Sequence, residues 1–368
     1  MTRIAFIIND LSFGGAQIQT IELANNLAKR NYDIMMFSLG PEDKLKNTIS
    51  PAVKTVLIGK KSYLDFKALS RLVKEIKGFK PESVVCVNSY STFYGYFAHL
   101  LSGIAFKRIS VQHTTIITGW REKLKNIMYT VIMNKMDKLV FVCNNQLKHW
   151  IEEYRIKPTI SKVIYNGIDL EKFENFDTDI SNIRQSLGFK PEDIIIGINA
   201  VLRPEKKHED MVDALELLVK EGYPIKLLFI GDGIRRGFIE DYIKSKGLTD
   251  RVVITGFLKD VRPYLACVDI SALTSTAVET LSIAALESMA MGKPLILSDI
   301  GGARELVDQG VNGIVYTAGN VIELYKSIKY LIDNGITHSM GENSRIKVKK
   351  LFSREMMTEK YEELLKIS

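Results

Sequence analysis

Short apolar runs alternate with helix-length segments along this chain, and that alternation leaves few folds open to it. In the first half the runs fall at residues 4–9, 34–38, 53–58, 84–88, 108–112, 139–143 and 162–165, with helical patterns between most of them. In the second half they recur at 194–202, 226–230, 252–255 and 268–273. Such an order implies an α/β fold with largely parallel sheets covered by helices on both faces. In open sheets of this kind, ligands collect at the carboxyl ends of the strands. The 368 residues exceed one ordinary domain and fit two of about 180 each.

Composition adds limits. At 46% apolar and 25% charged residues the chain is ordinary globular material, with enough apolar content for two cores. No apolar run approaches the ~18 residues of a membrane span, and MTRIAFIIND enters a strand pattern without a cleavage site, so a cytoplasmic protein is expected. Cys86, Cys143 and Cys267 are far apart and odd in number, which suits reduced core residues better than a disulfide framework or a zinc site. Residues 1–180 hold 25 Lys and Arg against 17 Asp and Glu, whereas the remainder holds 25 against 26, so the net charge of +7 comes entirely from the first half. A basic half suggests an anionic partner, either headgroups of the inner membrane leaflet or a phosphorylated acceptor; a merely solvated lysine-rich surface explains it equally well. Nucleic acid is not expected as a partner. Residues 120–138, WREKLKNIMYTVIMNKMDK, set Arg121, Lys123, Lys125, Lys135 and Lys138 against Ile127, Met128, Val131 and Ile132. That pattern fits a helix lying on a membrane or over an acceptor groove, and equally a helix packed on the sheet.

Most of the chemistry is concentrated in residues 264–305, YLACVDISALTSTAVETLSIAALESMAMGKPLILSDIGGARE. A short buried strand, a loop, a packed helix over 282–291 and a second strand follow in that order. Glu279 and Glu287 stand eight positions apart, an offset of about 80° on one continuous helix. They converge only if Glu279 lies in the loop before the helix. Thr280, Leu281 and Ser282 then offer backbone N–H groups at a helix N-terminus, where the dipole favours phosphate. One carboxylate can accept from sugar hydroxyls and the other from a ribose.

Elsewhere the signals are weaker. Gly14 and Gly15 sit between a strand and a helix, the order of a nucleotide-binding unit, but GGAQ lacks the GxGxxG spacing. His113 ends the run RISVQH, where a lone histidine is more often structural. Arg203 and Lys206, in RPEKKHEDM, lie beyond a strand end and suit a diphosphate. Gly231 and Gly233, in GDG, are a plausible second backbone approach to a nucleotide. Asp177 and Asp179 form a DxD that lies in linker sequence and is discounted as a metal motif.

Glutamate, seven residues, glutamate, then GKPLILSDIGGAREL, resembles the donor-binding signature of the retaining glycosyltransferases of family 4, which have the two-domain GT-B fold. FGGAQIQTIELANNLAKRNYDI looks like the family's glycine-rich first loop, and VIYNGID like the motif that closes its first domain. The resemblance implies two Rossmann-like domains with parallel sheets facing across a cleft. It divides the chain into an acceptor-side domain (1–170), a linker (171–190), a donor domain (191–351) and a final helix (352–368) crossing back to the first. It makes His113 a sugar-positioning residue, Lys206 the diphosphate lysine, and places Phe257 near the base. The family arginine, five residues before the lysine, is Val201 here, so Arg203 must act from a displaced position. The implied activity is retaining, metal-independent transfer of a hexosyl-type sugar from a nucleotide sugar, UDP-linked in the first instance, to a glycan or lipid-linked acceptor in cell-surface polysaccharide synthesis. No cofactor is expected. A sugar-nucleotide epimerase, a phosphorylase of similar fold and an inactive sugar-nucleotide-binding partner subunit are the alternatives.

Overall fold

A computed structural model describes residues 1–12, 14–114, 120–174, 176, 178–277 and 279–366, with backbone only for 120–126. The chain divides into two compact units, Met1–Gly167 with Arg354–Ser368, and Ile168–Ser353.

The first unit alternates strand and helix: β1 (Arg3–Ile8), α1 (Gly15–Lys29), β2 (Asp33–Ser38), β3 (Val53–Leu57), α2 (Phe66–Phe79), β4 (Ser83–Val87), α3 (Asn88–Ser102), β5 (Lys107–Gln112), α4 (Trp120–Met133), β6 (Lys138–Phe141), α5 (Asn144–Tyr154) and β7 (Ser161–Val163). The seven strands pair in parallel in the order β3-β2-β1-β4-β5-β6-β7. Strands β1 and β4 are buried almost end to end, as central strands covered on both faces must be. One apolar cluster lies on each face. The first joins Phe6, Ile8, Leu23 and Leu27 to Met357, Tyr361, Leu364 and Leu365; the second gathers Phe37, Ile76, Tyr94, Phe141 and Trp150. Cys86, in the second cluster, and Cys143 are both buried, and burial pushes the Cys86 thiol up to about 12.

The second unit contains α6 (Glu171–Glu174), α7 (Ile180–Ser186), β8 (Ile194–Asn199), α8 (His208–Lys220), β9 (Ile225–Ile230), α9 (Arg236–Ser245), β10 (Val252–Ile254), α10 (Arg262–Cys267), β11 (Ile270–Leu273), α11 (Ile283–Ala290), β12 (Leu295–Ser298), α12 (Ala303–Leu306), β13 (Gly313–Tyr316), α13 (Val321–Asp333) and α14 (Thr337–Leu351). Its parallel sheet has the order β10-β9-β8-β11-β12-β13. The last helix of the chain, α15 (Arg354–Leu365), belongs to the first unit, where Asn26 Nδ2 donates to Thr358 Oγ1 at 2.9 Å and Arg30 pairs with Glu362 at 2.6 Å.

Residues 171–190, expected as a polar linker, differ from that reading. They form α6 and α7, bury Phe173 and Phe189, and belong to the second unit, where Arg184 Nη2 donates to the Asp193 carbonyl at 2.5 Å. The apolar anchors are Phe173 of α6 and Phe189 after α7, whereas α7 itself buries none of its residues and Ile180 at its start is exposed. The division falls after Gly167, where Ile168 bridges Ser353. In α4, Ile127, Met128 and Val131 are exposed (62%, 41% and 55%), while Tyr129, Ile132 and Met133 are buried. The packed face of this helix is therefore rotated from the Ile127, Met128, Val131 stripe. The side chains of Arg121, Lys123 and Lys125 lie outside the described residues, as does Asp177 of the DxD.

Candidate active site

In the second unit the loops that follow parallel strands carry the residues singled out above. The segment 200–207 follows β8, Gly231–Gly233 follow β9, Gly256 and Phe257 follow β10, 274–282 follow β11 and 299–302 follow β12. The α/β order therefore brings them to one edge of one sheet.

Glu279 lies in the loop before α11 and Glu287 within that helix, the arrangement that lets the two converge. The β8 segment engages both. Lys206 Nζ donates to Glu279 Oε2 at 2.5 Å, and Asn199 Nδ2, from the last residue of β8, donates to Glu287 Oε2 at 2.7 Å. The Lys206–Glu279 pair is mostly buried, with side-chain exposures of 20% and 17%. Its two loops are tied by the backbone: Thr274 Oγ1 donates to the Lys206 carbonyl at 2.8 Å and Thr276 N to the Glu205 carbonyl at 2.9 Å. Ser275 Oγ adds a 3.1 Å hydrogen bond to Glu279 Oε2. Burial lifts the Glu287 carboxyl from its ordinary value to about 7, against the lowering effect of the Asn199 hydrogen bond.

Ser282 caps α11, its Oγ accepting from Ala285 N at 3.3 Å. The N–H groups of Leu281, Ser282, Ile283 and Ala284 meet no acceptor among the described residues. This leaves a row of donors at the positive end of a helix beside Lys206 and Glu279, a setting in which a phosphate is favoured. Thr280 supplies the carbonyl that receives Gly302 N at 2.5 Å, which joins the loop after β12 to the loop after β11.

Arg203 is exposed at the start of the short Pro204–Lys206 turn, and Val201 is 47% exposed. Gly231 and Gly233 have a structural cause that GDG alone did not disclose. Gly231 has φ +147, and a Cβ there would stand 2.2 Å from the Ala200 carbonyl oxygen; one on Gly233 would stand 2.4 Å from that of Leu202. Both glycines let the loop after β9 lie directly on the backbone after β8. Phe257 is 65% exposed beside Gly256, which bridges Gly231. Sequence reading missed Asn199, Ser275 and also His208, whose buried ring has no hydrogen-bond partner for either nitrogen among the described residues and whose pKa is held down to about 3 by burial, with Lys206 and Arg235 adding to the effect. A polar residue ending a strand and a histidine opening a helix carry no signal of their own.

In the first unit, Gly14 caps α1 in extended backbone (φ −176) and Gly15 begins the helix. The extended φ is open to any residue, so the turn itself does not require glycine at Gly14; a Cβ there would meet only the Gln17 side chain. His113 lies past the end of β5, its N–H donating to Asn88 Oδ1 at 2.9 Å. Gln146 Nε2 donates to the carbonyls of Gln112 and Thr114, and Trp150 Nε1 to that of Thr114, so the chain on both sides of His113 is pinned. Burial lowers the imidazole to about 4 and keeps it neutral, able to donate through one nitrogen and accept through the other. His113 lines a small hollow with Gln19 and Thr20 of α1 and with Asn166, while Gly167 N donates to Gln19 Oε1 at 3.0 Å. Asn88, also missed, has φ +66, a conformation that asparagine tolerates better than most residues.

Two family models match the chain: Glycosyltransferase Family 4 over residues 13–172 and Glycosyl transferases group 1 over residues 179–347. The N-acetyl-alpha-D-glucosaminyl L-malate synthase of Bacillus anthracis is 26% identical over 363 residues, 95% of this chain and 93% of that protein. The UDP-Gal:alpha-D-GlcNAc-diphosphoundecaprenol alpha-1,3-galactosyltransferase of Escherichia coli is 23% identical over 82% of this chain and 79% of its own. Among solved structures, Anabaena HepE in complex with UDP-glucose superimposes with a TM-score of 0.85 over 99% of both chains at 22% identity. With a glycosyltransferase model on each half and two parallel-sheet α/β units that match solved glycosyltransferase structures along the whole chain, the protein is a glycosyltransferase of the GT-B fold.

Proposed function

We propose that the protein is a retaining glycosyltransferase of family 4 that moves a hexosyl-type sugar from a nucleotide sugar, a UDP-sugar in the first instance, to a glycan or lipid-linked oligosaccharide acceptor in cell-surface polysaccharide synthesis. The Lys206–Glu279 contact beside the open N–H groups of α11 carries this reading. A diphosphate at that helix end gains the dipole and the cations Lys206 and Arg203 as its charge develops on departure, a form of help worth about 3–4 kcal/mol per donor. Glu279, released from Lys206 as the lysine turns to phosphate, positions or stabilises the sugar, and Glu287 accepts from the ribose. Neutral His113 contributes a hydrogen bond to the donor sugar, and Gly14 and Gly15 give the diphosphate and acceptor a close backbone approach. Gly231 and Gly233 provide a second approach to the nucleotide, and Phe257 lies near the base.

Relatives support the partners: one is named for a UDP-galactose donor and a diphosphoundecaprenol acceptor, and HepE holds UDP-glucose. The exposed Ile127, Met128 and Val131 on α4 support a peripheral contact with an anionic membrane at the inner face of the cell membrane. Among the described residues, no helix is long and apolar enough to cross it. In this reading a metal is not needed, since side-chain cations supply the charge, and excess EDTA leaves transfer intact.

Mass spectrometry of products from a panel of nucleotide sugars and lipid-linked acceptors tests the whole. Glu279→Ala and Lys206→Ala are expected to lower the turnover rate by about 10²–10³-fold. Unchanged rates in both variants would defeat the assignment, and donor binding without turnover by the wild type would make the protein a binding partner.

A further inference from the structure

Strand β8 ends on a residue that its own composition does not explain. Ile194–Asn199, IIIGIN, lies between β9 and β11 in the second unit's sheet, and Asn199 is its one polar side chain. A polar group at the end of an apolar central strand costs stability unless it is used. The backbone around it is fixed by the sheet: Asn199 stands opposite Ile230 of β9, Ala200 N donates to the Ile230 carbonyl at 3.1 Å, and the Ala200 carbonyl lies against Gly231. From that position Asn199 Nδ2 donates to Glu287 Oε2 at 2.7 Å. Helix α11 is held in turn, since Ser288 Oγ meets Ser271 Oγ of β11 at 2.7 Å.

That hydrogen bond leaves each partner with an unused oxygen: Asn199 Oδ1 and Glu287 Oε1 receive no donor among the described residues. Two acceptors on side chains joined by one hydrogen bond suit two adjacent hydroxyls, each of which donates a proton. Position relates them to the phosphate end of the site. Glu287 follows Ile283 by four residues, so it stands about 6 Å further along the axis, on nearly the same face as the open N–H groups that begin α11. In a nucleotide one sugar ring separates the phosphate from the vicinal hydroxyls, a span of similar length. Strand β8 and the loop after it reach both ends, with Asn199 at Glu287 and Lys206 at Glu279.

We propose that Asn199 selects for ribose: its Oδ1 takes one hydroxyl of the nucleotide's ribose, while its amide holds Glu287 so that Oε1 takes the other. The inference rests on the reading in which Glu287 meets the ribose, and adds the residue that shares the diol with it. Calorimetry on the full chain at pH 8, above the Glu287 pKa of about 7, tests it with UDP, GDP and ADP and with the 2′-deoxy and 3′-deoxy forms of whichever binds most tightly. In the wild type each deoxy form should bind about tenfold more weakly than its parent. Asn199→Ala should bind the parent about tenfold more weakly, and one of the two deoxy penalties should vanish, because the missing hydroxyl has already lost its partner. Asn199→Asp is nearly isosteric and keeps an oxygen for that hydroxyl but not the donor to Glu287, so the parent should bind more weakly while both penalties persist. Thermal melts report whether either variant has lost its fold, and a purely structural defect would weaken parent and deoxy forms equally. A folded Asn199→Ala that keeps both penalties, or an Asn199→Asp that binds the parent like the wild type, overturns the proposal and leaves Glu287 as the ribose contact. A wild type that binds the nucleotide without either penalty overturns the Glu287 reading together with the proposal, and a chain that binds no nucleoside diphosphate overturns the donor reading as well.

Discussion

Glu287 and His113 are displaced from their ordinary protonation in opposite senses, and each displacement makes a pH-dependent prediction. Burial raises the Glu287 carboxyl to about 7, so the folded chain holds a proton there that the unfolded chain has released above about pH 4.5. Stability from this group is complete below pH 4.5 and is lost as pH rises through 7. Glu287→Gln should therefore match the wild type near pH 4.5 and exceed it by about 1–3 kcal/mol at pH 8, as read from urea unfolding at both pH values. For His113 the sign is reversed: its pKa falls to about 4, and stability is lost as pH drops from 6.5 toward 4. Transfer should then show no limb near pH 6.5 that His113→Asn abolishes; such a limb in the wild-type profile would mean that the imidazole titrates in solvent. At this scale Glu279 and Lys206, proposed site residues that meet in the structure, were noticeable in the sequence because charged side chains at loop ends have few structural uses. Asn199, Ser275 and Asn88 were not, because an uncharged polar residue acquires its meaning only from the atom it meets across the sheet.

At the scale of elements, the strand and helix order was legible throughout, since alternation of apolar runs reflects local geometry that packing then confirms. Ser282 was expected at the start of a helix and is its cap. Glycine was harder to interpret. Gly231 and Gly237 are six residues apart and look alike in sequence, yet a Cβ on the first would strike the Ala200 carbonyl while one on the second, inside α9, would meet nothing within 4 Å. Gly231→Ala should cost roughly 1–3 kcal/mol through its positive φ alone, with the contact adding to it. Gly237→Ala should stabilise by about 0.5–1 kcal/mol through helix propensity. Denaturant midpoints of the two variants should move in opposite directions, and equal shifts would show that the loop after β9 does not lie on the backbone after β8.

For the whole molecule, chain order and spatial membership part company at the C-terminus. Met357, Tyr361, Leu364 and Leu365 of α15 are buried in the first unit's core beside residues more than three hundred positions earlier. At roughly 1.5–3 kcal/mol for each buried apolar side chain, ending the chain at Ser353 should remove much of the ~5–15 kcal/mol net stability of that unit. Hydrogen exchange should then show fast exchange across β1, α1 and β2 while the second unit, closed by the Ile168–Ser353 bridge, keeps its protection. Uniform loss of protection would mean that the two units do not fold independently. The α/β architecture, the number of sheets and the placement of the candidate residues in strand-end loops were all implicit in the order of residues, because strand periodicity, helix starts and strand-end loops are local properties. Which side chains meet was settled only in three dimensions. Lys206 and Glu279 are 73 positions apart, and the side chains that hold His113 and the residues on either side of it come from α3 and α5. Contacts of that span depend on register and on packing across the sheet, which no local pattern encodes.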